Sequence, residues 1–140
     1  MATRDDRIEE FLSARRHAIV GTNPIDGPPQ LSPVWYLWEE GRLYLSVNVD
    51  TAKYRNLQRD PRITVCIDGC YPDMRSVIIT GMATLVGADN PLQAEMRRRL
   101  LGRYYDSEEG VRRHLERTPD SPKMALVVVR PEKIIRQGFE

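Results

Sequence analysis

The residues best suited to chemistry cluster where one apolar run ends and a short helical segment begins. Ser46 and Asn48 close the run, and Thr51-Ala52-Lys53-Tyr54-Arg55-Asn56-Leu57 follows. Lys53 and Asn56 are three apart and so share one helical face, while Leu57 turns toward a core. Asp50 or Thr51 stands at the N-cap position, and Asp60-Pro61 stops the helix. Free N–H groups at a helix start, a lysine, hydroxyls and an amide are what a phosphate needs. An ordinary exposed turn with Lys53 and Arg55 in solvent is the competing reading of this segment taken alone.

Upstream, Ser32-Pro33-Val34-Trp35-Tyr36 lies in the strand that neighbours the one ending at Asn48. A flat, apolar, hydrogen-bonding surface beside a phosphate cradle suits a ring-bearing, nucleotide-like cofactor. Trp35 and Trp38 are three apart in a strand and face opposite sides, so one of them belongs to the core. Pro33 donates no ladder hydrogen bond, which predicts an edge or a bulge. No side chain stands out as a catalytic acid, base or nucleophile. His17 and His114 read as structural or solvent-facing, Tyr36 is a proton-donor candidate by position only, and no Ser-His-Asp, Cys-His or paired-carboxylate arrangement emerges. Cys66 and Cys70 are separated by three residues and have no partner at metal-ligand spacing. Cys66 is expected to be buried as a small hydrophobe, and no metal site is predicted.

These residues need a frame. Ile8, Phe11 and Leu12 predict an N-terminal helix over Arg4 to Arg15. HAIVGTN and QLSPVWYLWEE read as a hairpin with a long connection, and Glu39-Glu40-Gly41 turns the chain into RLYLSVNV, giving three successive antiparallel strands. After the central helix, RITVCID and SVIITGMATLVG are two more strands, and Gly81 inside the second marks a bulge or a close backbone approach. Pro91 to Tyr105 and Glu108 to Glu116 have helical spacing, and MALVVVRPEKIIRQG closes the chain as one interrupted strand or two short ones. Strands that succeed one another without crossover helices form antiparallel sheets, and about six with interior glycines favour a small barrel.

The 140 residues accommodate one domain, expected to span 1–140. Lysine and arginine number 21 against 20 acidic residues, a balance that argues against nucleic acid and for a small-molecule or protein partner; a small-molecule substrate is expected. No apolar run approaches a membrane span, and the charged start MATRDDRIEEFL lacks the apolar stretch of a secretory signal, so a cytoplasmic protein is expected. No G-x-G-x-x-G and no P-loop is present, which excludes the common dinucleotide and nucleotide loops.

The stretch HAIVGTNPIDGPPQLSPVWYLWEEGRLYLSVNVDTAKYRNLQRDPRITVCID followed by VIITGMATLV resembles the pyridoxamine 5'-phosphate oxidase-like split β-barrel proteins, and more closely their subgroup of deazaflavin-dependent reductases that use coenzyme F420. The ordered set SPVWY, TAKYRNL and DPR carries that likeness. It implies a mainly β fold, an antiparallel split β-barrel with helical insertions, working as a homodimer with the cofactor in a groove between subunits. It also implies a hydride transfer between the deazaflavin and a small unsaturated substrate. By the same resemblance Thr51, Lys53 and Asn56 sit at the cofactor phosphate with Ser46, Val47 and Asn48 beside it, and Ser32, Pro33, Val34 and Trp35 line the ring. The R-x-V-L-L-K type motif of the true pyridoxamine phosphate oxidases is missing, which argues against vitamin-B6 oxidation. FMN stays as the alternative cofactor, and a carrier or sensor without turnover as the alternative role. Arg97, Arg98 and Arg99 read either as a solvated helix face with ion pairs to Glu95 and other acids or as a surface for the acidic tail of F420.

Overall fold

Alternation of apolar and polar residues from Leu43 to Asn48 sets one side chain in two toward a common interior. The computed structural model, which describes residues 5–139, buries Leu43, Leu45 and Val47 there. The same pattern buries Ala18 and Val20 on β1 (Ala18–Thr22), Ile63, Val65 and Ile67 on β5 (Arg62–Asp68), and Val77 and Ile79 on β6 (Ser76–Val86). The remaining strands are β2 (Gln30–Val34), β3 (Leu37–Glu39), β4 (Arg42–Asn48) and β7 (Met124–Gln137), all paired antiparallel in the order β2-β1-β5-β6-β7-β4-β3. The helices are α1 (Asp6–Ser13), α2 (Ala52–Arg59), α3 (Pro91–Tyr104) and α4 (Glu108–Arg117). Arg4, where the sequence pattern starts the first helix, lies outside the described residues.

Strands β2 and β3 form opposite edges of this sheet, yet only Trp35 and Tyr36 separate them in the chain. Three Cα steps reach at most about 11 Å, so the two edges must meet and the sheet must curl into a barrel. One strand, 30–39, pairs first with β1 and then with β4. At the hand-over Tyr36 has no ladder partner, and side chains from α3 replace it. The Tyr36 N–H donates to Tyr104 Oη at 3.1 Å, and Arg103 donates to the Tyr36 carbonyl at 2.8 Å. Those partners remove the cost of leaving backbone groups unpaired.

Helices α1 and α2 cap the two ends. Phe11 of α1 meets Phe139 edge-on with 5.3 Å between ring centroids, and Leu57 of α2 joins the core from the other end. Helices α3 and α4 instead cover the outer face of β4 and β7, where Met96, Leu100 and Leu101 pack on Leu37 and Leu126. Trp38 is the core tryptophan and donates to Glu9 at 2.7 Å. Cys66 departs from expectation. It alternates with Ile63, Val65 and Ile67 onto the outer face of β5 and is only half-buried. Among the described residues no helix is long and apolar enough to cross a membrane.

The β6–β7 pairing shifts register between Thr80 and Gly81, and β7 runs through Arg130-Pro131 as one strand. A Cβ at Gly81 would lie 2.1 Å from the Arg130 carbonyl oxygen, so the close approach admits no side chain. Gly81→Ala is therefore expected to cost about 2 kcal/mol in urea unfolding. Gly102→Ala, on an exposed stretch of α3 with no atom within 4 Å of the added methyl, is expected to gain about 0.5 kcal/mol or more. Equal effects at the two glycines would contradict the bulge as the tight point.

Candidate functional site

The hand-over that closes the barrel also splits it. Strand 30–39 pairs with β4 only as far as Leu37 opposite Tyr44, then leaves to join β1. Beyond Tyr44 the β4 edge, Leu45 to Asn48, has no strand beside it on that side. Trp35, two steps past the last paired position, lies on the course that would have met Ser46. The result is a cleft with β4 on one side, the departing strand on the other, and the α2 turn at its end.

A cavity of about 520 Å³ occupies this region beneath α3 and α4. Val34, Trp35, Ser46 and Asn48 line it from the strands, and Arg97, Leu100 and Leu101 from α3. His114, Thr118, Ser121 and Met124 complete the wall. Its size and mixed lining are those of a small-molecule site. The Ser46 hydroxyl is buried and has no hydrogen-bond partner, a costly state that an acceptor or donor on a ligand would relieve. Trp35 is held in place by a parallel stack on Tyr104, with 4.5 Å between centroids, and by a hydrogen bond from its Nε1 to His17 at 3.1 Å.

The ten residues singled out from the sequence divide by location. Val34, Trp35, Ser46 and Asn48 come together around the cavity. Ser32 is half-buried on β2, Pro33 points outward from the same strand opposite Ile19, and Val47 faces the barrel interior. Thr51 caps α2: its hydroxyl donates to the Asn48 carbonyl at 2.8 Å and accepts from the Tyr54 N–H. That bond ties the helix start to the cavity lining. Asn56, 4% exposed, is engaged elsewhere. Its amide donates to Thr22 at 3.1 Å and to Gln30 at 3.4 Å, and its oxygen accepts from Arg59 at 2.6 Å.

Lys53 is more buried than Arg55 and Arg59 on the same helix, both of which are exposed. It is half-buried on the first turn of α2, makes no ion pair among the described residues, and burial lowers its pKa from the ordinary lysine value. Arg62 by contrast is paired with Asp60 at 2.7 Å, and Lys123 with Asp50 at 2.9 Å. A desolvated, unpaired ammonium next to a helix N-terminus favours an anion that the chain itself does not supply.

Several side chains behave differently from their sequence reading. The arginine triplet does not pair with Glu95: Arg97, 3% exposed, bonds Asp120 at 2.7 Å and Thr118, Arg98 also approaches Asp120, and Arg99 pairs with Glu39 at 2.6 Å. His114 is half-buried and lines the cleft from α4. Its Nδ1 meets Tyr105 Oη at 2.8 Å, and burial, with Arg97 and Arg117 nearby, lowers its pKa. Tyr36 is fully buried, donates to the Leu12 carbonyl at 2.8 Å and has its pKa pushed up to about 12, chiefly by desolvation. A phenol so committed is a structural group. The α3 contribution left one trace in the sequence: Arg97 falls on the same helical face as Gln93, Leu100 and Leu101, where a cation is out of place.

The sequence model for the family described as Pyridoxamine 5'-phosphate oxidase matches residues 5–138. Among solved structures, an F420 reductase is 24% identical with a TM-score of 0.71, over 91% of this chain and 94% of that one. The conserved protein Rv2991 of Mycobacterium tuberculosis is 24% identical with a TM-score of 0.74, over 97% and 85%. A pyridoxamine 5'-phosphate oxidase-related, FMN binding protein of Nostoc punctiforme is 16% identical with a TM-score of 0.73, over 97% and 84%. At such identities the structural likeness establishes the split-barrel fold.

Removing the orphaned hydroxyl tests whether the cavity is built for something the protein alone does not contain. Ser46→Ala is expected to raise the unfolding free energy of the ligand-free protein by about 1 kcal/mol in urea titration. A comparable loss would mean that the hydroxyl already has a partner.

Proposed function

Because this chain belongs to the pyridoxamine 5'-phosphate oxidase family, we propose that it is an oxidoreductase that holds coenzyme F420 in the split of its barrel. When bound, the reduced deazaflavin supplies a hydride from its central ring carbon to an electron-poor double bond of a small substrate. The observation that carries the reading is the half-buried, unpaired Lys53 on the first turn of α2, joined to the cavity through Thr51 and Asn48. FMN is the alternative cofactor, since it also carries a phosphate on its side chain and a tricyclic ring of similar shape. The resemblance of SPVWY and TAKYRNL to the deazaflavin subgroup favours F420.

In this reading Lys53 and the N–H groups of the α2 start bind the phosphate, and Thr51, Ser46 and Asn48 supply further polar contacts. Ser32 to Trp35 orient the ring. Asn56 acts through the helix, because its bonds to Thr22 and Gln30 fix α2, and with it Lys53, against the end of β1 and β2. Leu100, Leu101 and Met124 exclude water from the cleft. No side chain of the chain has to act as a nucleophile.

The reading includes a second copy of the chain. Pro33, Ile19, Cys66, Ile78 and Ile135 are register partners in one row across β2, β1, β5, β6 and β7, all on the outer face away from α3. Such an apolar stripe along a sheet favours a partner that covers it.

Lys53→Ala is expected to weaken cofactor binding by about 1.5–3 kcal/mol in fluorescence titration, the range for a charge-assisted contact. An unchanged dissociation constant would place the phosphate elsewhere. The pH dependence has a defined sign. Lys53 must be protonated to hold the phosphate, and its pKa in the free protein is lowered by burial, so affinity is full below that pKa and falls as pH rises through it. Lys53→Ala should remove this alkaline fall. For the dimer, sedimentation of Ile19→Arg is expected to show monomers with weakened cofactor affinity, whereas a wild-type monomer that binds cofactor fully would refute the paired arrangement.

A further inference from the structure

The cavity holds groups that the phosphate reading leaves unused. Arg97 and Thr118, bonded to each other, line it together with Trp35, His114 and Leu101. Around Trp35 the rings are locked together. Tyr104 stacks on Trp35, and Tyr105 meets the edges of both Trp35 and His114, at 5.9 and 5.6 Å between centroids. His114 lies 5.9 Å from Trp35, tilted by 40°.

The hydrogen bond between Tyr105 and His114 decides what this end can recognise. Tyr105 Oη has His114 Nδ1 as its partner at 2.8 Å, and an imidazole nitrogen is a stronger acceptor than a phenol oxygen. The phenol therefore donates to Nδ1, and the neutral ring carries its proton on Nε2, for which no protein acceptor is present among the described residues. Burial and the neighbouring cations Arg97 and Arg117 keep the ring neutral. The buried, unpartnered Ser46 hydroxyl lines the same cavity.

We propose that His114, oriented by Tyr105 as the Nε2–H tautomer, is the hydrogen-bond donor of a substrate subsite for flat, uncharged molecules bearing a carbonyl oxygen. Calling the ligand a substrate rests on the redox reading above; the binding itself does not. Aromatic walls favour a planar body, and a site that presents an unpartnered N–H discriminates against the analogue that lacks the acceptor. A charged ligand finds no free partner here, because the Arg97 guanidinium is already paired with Asp120.

The test uses the cofactor-free full chain and two probes of the same shape, 2-acetylnaphthalene and 2-ethylnaphthalene, in isothermal titration calorimetry. The ketone is expected to bind at least tenfold more tightly than the hydrocarbon. His114→Phe, which keeps an aromatic wall, should bring the two within about threefold. Equal binding of the probes to the wild type, or an undiminished preference in His114→Phe, overturns the proposal. Nitrogen-15 NMR of the wild-type histidines guards against a variant that fails to fold. For the His114 ring, an Nε2–H tautomer whose resonance moves with added ketone supports the proposal, and an Nδ1–H tautomer refutes it. Lys53→Ala separates the two readings: it should leave the ketone preference intact while lowering cofactor affinity. Unchanged cofactor affinity in Lys53→Ala therefore refutes only the first reading, and absence of the ketone preference in the wild type only the second.

Discussion

Two peptide units, those flanking Tyr36, have to pass from one edge of a sheet to the other without a strand to pair with, and much of the molecule is arranged around satisfying them. Arg103 of α3 donates to the Tyr36 carbonyl and also to the Ala14 carbonyl at 2.6 Å, just past the end of α1. Tyr104 accepts from the Tyr36 N–H and donates to the Arg16 carbonyl at 2.6 Å. Buried backbone groups without partners are costly, so the crossing needs α3, and α3 in turn is placed by it. Closing the barrel, fixing the end of α1 and positioning the wall of the cavity are thus one set of contacts. The cleft exists because the strand that closes the barrel leaves β4 early.

That arrangement separates rigid from receptive parts of the site. Trp35 sits at the crossing and is gripped by Tyr104 and His17, while Arg97 is neutralised by Asp120 and Thr118. Against this frame stand the Ser46 hydroxyl, buried without a partner, and the half-buried Lys53 ammonium, which has no ion pair among the described residues. Native proteins pair buried polar groups almost without exception. These two groups, near the Asn48–Thr51 hydrogen bond, are the physical basis for proposing a phosphorylated ligand here.

The architecture was largely legible in the sequence because it rests on local signals. Alternation marked β4 and β5, Thr51 and Asp60-Pro61 bounded α2, and Gly81 announced the bulge. Of the site, Ser46, Asn48, Val34 and Trp35 were legible because they lie within a few residues of the strand end or the crossing. The α3 and α4 wall was not, since Arg97 and His114 reach the cavity only through tertiary packing of helices about fifty residues away in the chain from β4. Cys66 was misplaced for a similar reason: a short apolar strand does not by itself say which of its faces is inward. Asn56 shares a helical face with Lys53, yet its amide is drawn to Thr22 and Gln30, and spacing cannot reveal which polar partners the neighbouring strands will offer.

The central claim is that the end of β4 and the first turn of α2 read a phosphate. Fluorescence titration of the wild-type protein with FMN and riboflavin, and with F420 and its dephosphorylated deazaflavin, tests it most directly. The account predicts saturable binding of F420, or of FMN, with the matching phosphate-free compound at least tenfold weaker. Equal affinity for the phosphorylated and phosphate-free members of a pair, or no binding of either cofactor, would contradict it.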